Sequence, residues 1–133
     1  MIRRHVTVVL ALALFACAQR PYSDGDDAQI IQAVLDHPTL AGFFHPEVPG
    51  RVPVKLAMPD SRHVPLSKFG QPVAIVPWSE EPHAAVILVE QFTGQDKEAF
   101  VRLVYPVEGV VGEFELSLQG KQWVIVKAHV RET

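Results

Sequence analysis

A single cysteine in 133 residues, Cys17, rules out a disulfide within one chain, so the fold must be held by its core. Nor is there any basic excess: 12 Lys and Arg stand against 15 Asp and Glu, a formal charge of −3. That leaves too few cations to neutralise a phosphate backbone, and nucleic acid is not an expected partner. The chain also lacks a long apolar run. Its longest, "VTVVLALALFA" from Val6 to Ala16, is about half of the ~20 residues that a helix needs to cross a bilayer. Catalytic spacings are missing as well. No serine stands in a G-x-S-x-G elbow, no H-x-x-x-H or H-E-x-x-H pair exists, and "EGVVG" at Glu108–Gly112 lacks the strand-to-helix context of a phosphate loop. What is present is 48% hydrophobic and 20% charged residues, the composition of one globular domain.

The N-terminus reads as a secretory signal. A basic start "MIRRH" precedes the apolar run, and small residues follow at "ACA". Two processing routes fit. Ala16 and Ala18 satisfy the small-x-small rule of ordinary cleavage, whereas Leu14-Phe15-Ala16-Cys17 resembles the lipobox of bacterial lipoproteins, departing from it at Phe15. The lone cysteine favours the second, since a secreted chain otherwise uses cysteines in pairs. The resemblance implies residues 1–16 as signal peptide and Cys17 as the acylated residue. It further implies a lipid tie to the membrane, a periplasmic location in the bacterial envelope and, because Ala18 is not aspartate, outer-membrane sorting. Residues 17–27 then form the anchor and tether, and 28–133 a single domain. Removal of Arg3 and Arg4 leaves 10 cations against 15 carboxylates, a charge of −5.

Along the domain, Ile30, Ile31, Val34 and Leu35 recur at helical spacing, Asp26 or Asp27 can cap the helix, and Pro38 ends it. "PTLAGFF" restarts a short turn. From residue 51 the period becomes alternating. "RVPVKLAMP" suits an edge strand or an irregular extended segment because of Pro53, "AAVILVEQF" is apolar enough to be buried on both faces, and "EAFVRLVY" and "GEFELSLQ" alternate. If Gly120-Lys121 is a two-residue turn, Leu118 faces Trp123 and Leu116 faces Ile125, turning Val124, Val126, Ala128 and Val130 to the other side. A one-residue bulge would reverse this. Neither register gives the last strand a wet face, so it is expected at the sheet centre or under a partner. The order of elements predicts an α+β domain, an N-terminal helix packed on a curved antiparallel sheet of four to five strands. The closing pattern "VRLVYPVEGVVGEFELSLQGKQWVIVKAHVRE" resembles the end of cystatin-like and NTF2-like domains, a fold that hosts enzymes, inhibitors and scaffolds alike.

Candidate sites are few. His37 and His45, with Asp36 and Glu47, are the nearest approach to a metal cluster, but they lie eight apart and each histidine precedes a proline. His37 suits the last turn of a helix. Glu113 and Glu115 share a strand face and Glu80-Glu81 a loop; both read as solvated. No catalytic residue, metal or cofactor is assigned. Trp78, in the Pro-flanked "VPWSEEPH", and Val124 are candidate interface residues, and Tyr105 and Trp123 are candidate pocket residues. The expected function is that of a small non-catalytic envelope lipoprotein binding a protein or envelope component, an inhibitor or immunity-type protein being one form. The alternative is an NTF2-like pocket protein for a small apolar ligand.

Overall fold

The computed structural model describes residues 21–60, 62–79 and 85–133. Helix α1 spans Asp24–Leu35, and its apolar stripe is wholly enclosed: Ile30, Ile31, Val34 and Leu35 are each at most 1% exposed. Capping is by Ser23 rather than by an aspartate ahead of the helix. The Ser23 N–H donates to the Asp26 carboxylate at 2.9 Å, so Asp26 sits inside the first turn as its third residue. Asp24–Asp27, expected to close the tether, therefore belong to the domain. The helix stops at Asp36, because the residue before Pro38 is pushed to an extended conformation; His37 has φ −68° and ψ 135°. His37 is thus not in the last turn of α1. It caps the short helix α2, Pro38–Ala41, where its Nδ1 accepts the Thr39 N–H at 3.3 Å.

Eight strands follow: β1 Lys55–Ala57, β2 Ser67–Lys68, β3 Gln71–Pro72, β4 Ala74–Ile75, β5 Val86–Gln95, β6 Glu98–Tyr105, β7 Val110–Gln119 and β8 Gln122–Glu132. Six form one sheet in the order β4-β1-β5-β6-β7-β8, and β2 and β3 make a separate hairpin. The domain is α+β with a largely antiparallel sheet, but it has more strands than expected, and β1 runs parallel to both β4 and β5. Consequently, of the two readings, the Pro53 segment is the irregular one and not an edge strand. Pairing begins at Lys55, after the proline, so the missing N–H removes no ladder bond, and β1 lies inside the sheet.

The helix covers one face of the sheet. Phe114 at the centre of β7 is fully buried there, with Val101 and Leu103 on β6 and Ile87 and Val89 on β5. Burial of Val86–Val89 on both sides is explained by a second, smaller cluster on the opposite face, where Ala57, Val86 and Leu88 meet Val76, Trp78 and Val104.

The closing hairpin has the two-residue turn, with Gln119 opposite Gln122, Leu118 opposite Trp123 and Leu116 opposite Ile125. Past Ile125 the register shifts by one, and Val126 is the extra residue of a β-bulge. This returns Ala128 and Val130 to the helix-covered face, correcting the expectation that they share a face with Val124. Val126 is left 56% exposed. The bulge also explains why β8 tolerates the position it holds. Instead of lying at the centre of the sheet it is its outermost strand, since after the switch only one of its faces needs cover.

Candidate binding surface

Two polar networks mark the two ends of the strands. At the end formed by the β5–β6 and β7–β8 hairpins, the chain enters through Tyr22. The Tyr22 hydroxyl donates to Asp27 Oδ1, and the Arg62 guanidinium reaches Asp27 Oδ2 at 2.5 Å while also binding Asp60. Asp26 accepts the Trp123 Nε1–H at 2.8 Å. Both aspartates are buried, 2% and 4% exposed, and every buried side-chain polar atom among the described residues has a partner. Burial, reinforced by the bond to Asp27, pushes the Tyr22 hydroxyl above the usual phenol range, and the Arg62 guanidinium holds the Asp60 carboxyl below its own. Gly94 on β5 makes room for this. A Cβ there would stand 2.3 Å from the Tyr22 hydroxyl oxygen.

The opposite end lies about 26 Å away, eight residues along β7 at ~3.3 Å each, where Tyr105 pairs with Val110. Arg51 donates to Tyr105 Oη at 3.2 Å and to Glu108 Oε1 at 2.7 Å, and His45 Nε2 lies 3.5 Å from the same Glu108 oxygen. Phe44 bridges Tyr105 and Phe69, with ring centroids 6.4 Å and 5.6 Å away. Around this paired charge stand three of the four exposed large hydrophobic side chains among the described residues: Val48 at 40%, Phe69 at 43% and Val107 at 50%. Val48 lies in the turn between His45 and Arg51, Val107 beside Glu108, and Phe69 at the tip of the β2–β3 hairpin.

Phe69 is held in an unfavourable conformation. The type I′ form of a two-residue hairpin turn takes positive φ at both central positions, and Phe69 and Gly70 have φ 55° and 72°. Glycine or asparagine is the ordinary choice; a bulky aromatic costs ~1–2 kcal/mol. The β5–β6 turn has positive φ only at its first position, and there Asp96, φ 53°, is a residue type that tolerates it. An aromatic kept at a strained, exposed tip, beside Lys68 with its Nζ 5.4 Å from the ring, has the properties of a contact residue.

The residues chosen from sequence are dispersed. Tyr105 and Trp123 are both buried, 4% exposed, and lie in the two separate networks, so they line no common pocket. Trp78 is half-buried and folds back on Ala57, Val86 and Leu88, while Val124 is half-buried on the same sheet face near the other edge. Cys17 lies outside the described residues, as do Ser61, Glu80-Glu81 and His83. His37 packs against Phe114, with ring centroids 5.8 Å apart, and among the described residues no set of three or more His, Cys, Asp or Glu is placed to hold a metal. Glu113 lies on the exposed sheet face and pairs with Arg102, which also binds Glu90 at 3.2 Å. No described helix is long and apolar enough to cross a membrane. Comparison with family models, with curated proteins and with solved structures gives no match. Phe69, Val48, Val107 and Arg51 were not singled out from sequence. The "KFG" at Lys68–Gly70 was the available signal, an aromatic where hairpin chemistry asks for a small residue.

Proposed function

We propose that this protein is a small non-catalytic lipoprotein of the bacterial cell envelope, tied on the periplasmic side through lipid on Cys17, that binds a protein partner. The observation that carries the reading is the placement of the exposed apolar residues: Phe69, Val48 and Val107 stand at the end of the domain opposite Tyr22, where the tether enters. A domain held at one end then presents an aromatic, two aliphatics and a charged centre at the other. Aromatic and arginine side chains amid apolar neighbours are the composition of interface hot spots. An inhibitor or immunity-type role is one form of this activity. In the same reading the sheet is curved, in the manner of cystatin-like and NTF2-like domains, and the bulges at Glu90 and Val126 supply the bend.

The test uses the full-length chain expressed in a bacterium with a lipoprotein pathway, beside a Cys17→Ala variant, with a photo-crosslinking residue at position 69 or, as control, at position 96. The expected result is acyl mass and membrane fractionation for the wild type but not for Cys17→Ala, and a discrete crosslinked adduct from 69 alone. Release of an unlipidated chain overturns the anchor, and equal adducts from both positions overturn the binding surface.

A further inference from the structure

The eleven residues of β8 are hydrogen-bonded to β7 on one side and to no described strand on the other. Most strands are about half that length, and a long free edge presents a row of unused N–H and C=O groups, a template for another strand. We propose that the C-terminal half of β8 accepts an extended acidic segment of a partner as a seventh strand of the sheet. This goes beyond the binding surface at Phe69 and does not depend on it.

The chemistry of the occupant follows from the register. Past the bulge, Lys127, His129 and Arg131 sit opposite Glu115, Glu113 and Val111, so the three share the open face at a spacing of two. All three are exposed, and among the described residues neither Lys127 nor Arg131 is in an ion pair within 4.0 Å. Ala128 and Val130 alternate with them and are half-buried on the helix-covered face. A strand added beside β8 sets its own side chains directly against these, with Cβ atoms ~5 Å apart. Carboxylates are favoured on one face, and apolar residues on the other extend the cover of Ala128 and Val130. Glu113 and Glu115 of β7 stand a further strand away, about 10 Å from the incoming carboxylates. That is beyond the ~8 Å over which exposed charges act at physiological salt, so the basic row dominates.

The same row argues against a second copy as the occupant. Two β8 edges related by a two-fold axis between residues 127 and 131 bring Lys127, His129 and Arg131 of one copy against those of the other, and like charges directly opposite are destabilising. The edge therefore rejects its own kind and selects an alternating acidic and apolar sequence.

The experiment titrates the full chain, in detergent micelles, against a fluorescein-labelled peptide of about eight residues with alternating Glu and Val, reading anisotropy. Two controls carry Lys in place of Glu, or a central Pro that forbids strand pairing. The acidic peptide alone is expected to bind, about tenfold more weakly when Lys127→Glu and Arg131→Glu are combined, with unchanged affinity in Phe69→Asn. A Lys127→Gln, Arg131→Gln variant with unchanged circular dichroism and a similarly weakened affinity shows that charge rather than unfolding is responsible. Equal binding of the proline peptide, unchanged affinity in the charge variants, no binding of any peptide, or dimerisation of the wild type through β8 in sedimentation would each overturn the proposal.

Discussion

The indole N–H of Trp123 donates to Asp26 Oδ1 at 2.8 Å, joining the last hairpin to the first turn of α1 across 97 residues of sequence. The same carboxylate accepts the Ser23 N–H through its other oxygen, so one side chain both caps the helix and fastens it to the sheet. Trp123→Phe removes the donor, leaves Asp26 short of a bond in a site 2% exposed, and opens space beside it. We expect a loss of about 2–4 kcal/mol in urea unfolding. Asp26→Asn keeps the acceptor and should cost about 1 kcal/mol. A Trp123→Phe loss below about 0.5 kcal/mol would show that the bond does not hold the helix in place.

Tyr22 gives the domain an alkaline limit. Its phenol is raised by burial and by Asp27, so the folded state holds that proton more tightly than the unfolded chain does. The sign of the linkage follows: the contribution is complete below the unfolded phenol value near 10 and is lost as pH rises above it. Unfolding free energy should fall above pH ~10 in the wild type and fall less steeply in Tyr22→Phe, as read from denaturant curves at pH 8 to 11.

Gly94→Ala tests the same corner from the sheet side. The added methyl must displace the Tyr22 side chain, whose hydroxyl oxygen lies 2.3 Å and whose nearest ring carbons lie 2.8 and 2.9 Å from its position. The expected outcome is faster cleavage by a protease in the 21–27 segment at unchanged sheet content. Cleavage at the wild-type rate would mean that Tyr22 is not held against Gly94.

At Phe69 strain and contact nearly cancel. Relief of the positive φ in Phe69→Asn gains ~1 kcal/mol, against the loss of a half-exposed ring contact with Phe44 and a cation–π contact with Lys68 worth about the same. Thermal stability should move by less than about 0.5 kcal/mol while crosslinking to the partner is lost. A large destabilisation would instead make Phe69 a structural residue.

Because Val126 is the surplus residue of a bulge, deleting it leaves Ile125 opposite Leu116 and Lys127 opposite Glu115 in an unbroken alternation. The deletion should cost no more than about 1 kcal/mol. Deleting Glu113 from β7 instead turns half of that strand inside out, and should abolish cooperative unfolding.

How much of this was legible in the sequence depended on the range of the signal. The α1 stripe, the two-residue turn at Gly120 and the buried run Val86–Val89 are written in local periodicity, and the structure has each of them. The bulge at Val126 leaves no mark in composition, so the faces of Ala128 and Val130 could not be read. The edge position of β8 depended in turn on that switch. Likewise the parallel pairing of β1 with β4 and β5 is set by contacts across 19 to 31 residues, beyond the reach of a pattern of period two. Asp26 and Asp27 of α1 read as tether because polar residues near Gly and Pro look like a linker; only Trp123 and Arg62, distant in sequence, make them a buried joint.

The separation of the Tyr22 joint from the Phe69 tip also sets how the domain carries force. If it is held by the first and gripped at the second, the pull enters the chain at residues 22 and 69 and runs through the segment between them, α1, α2 and β1. The long β5–β6–β7–β8 ladders lie outside that path. A tug on a bound partner therefore loads the packing of α1 and the pairing of β1 first, and leaves the antiparallel ladders as the unloaded frame behind them.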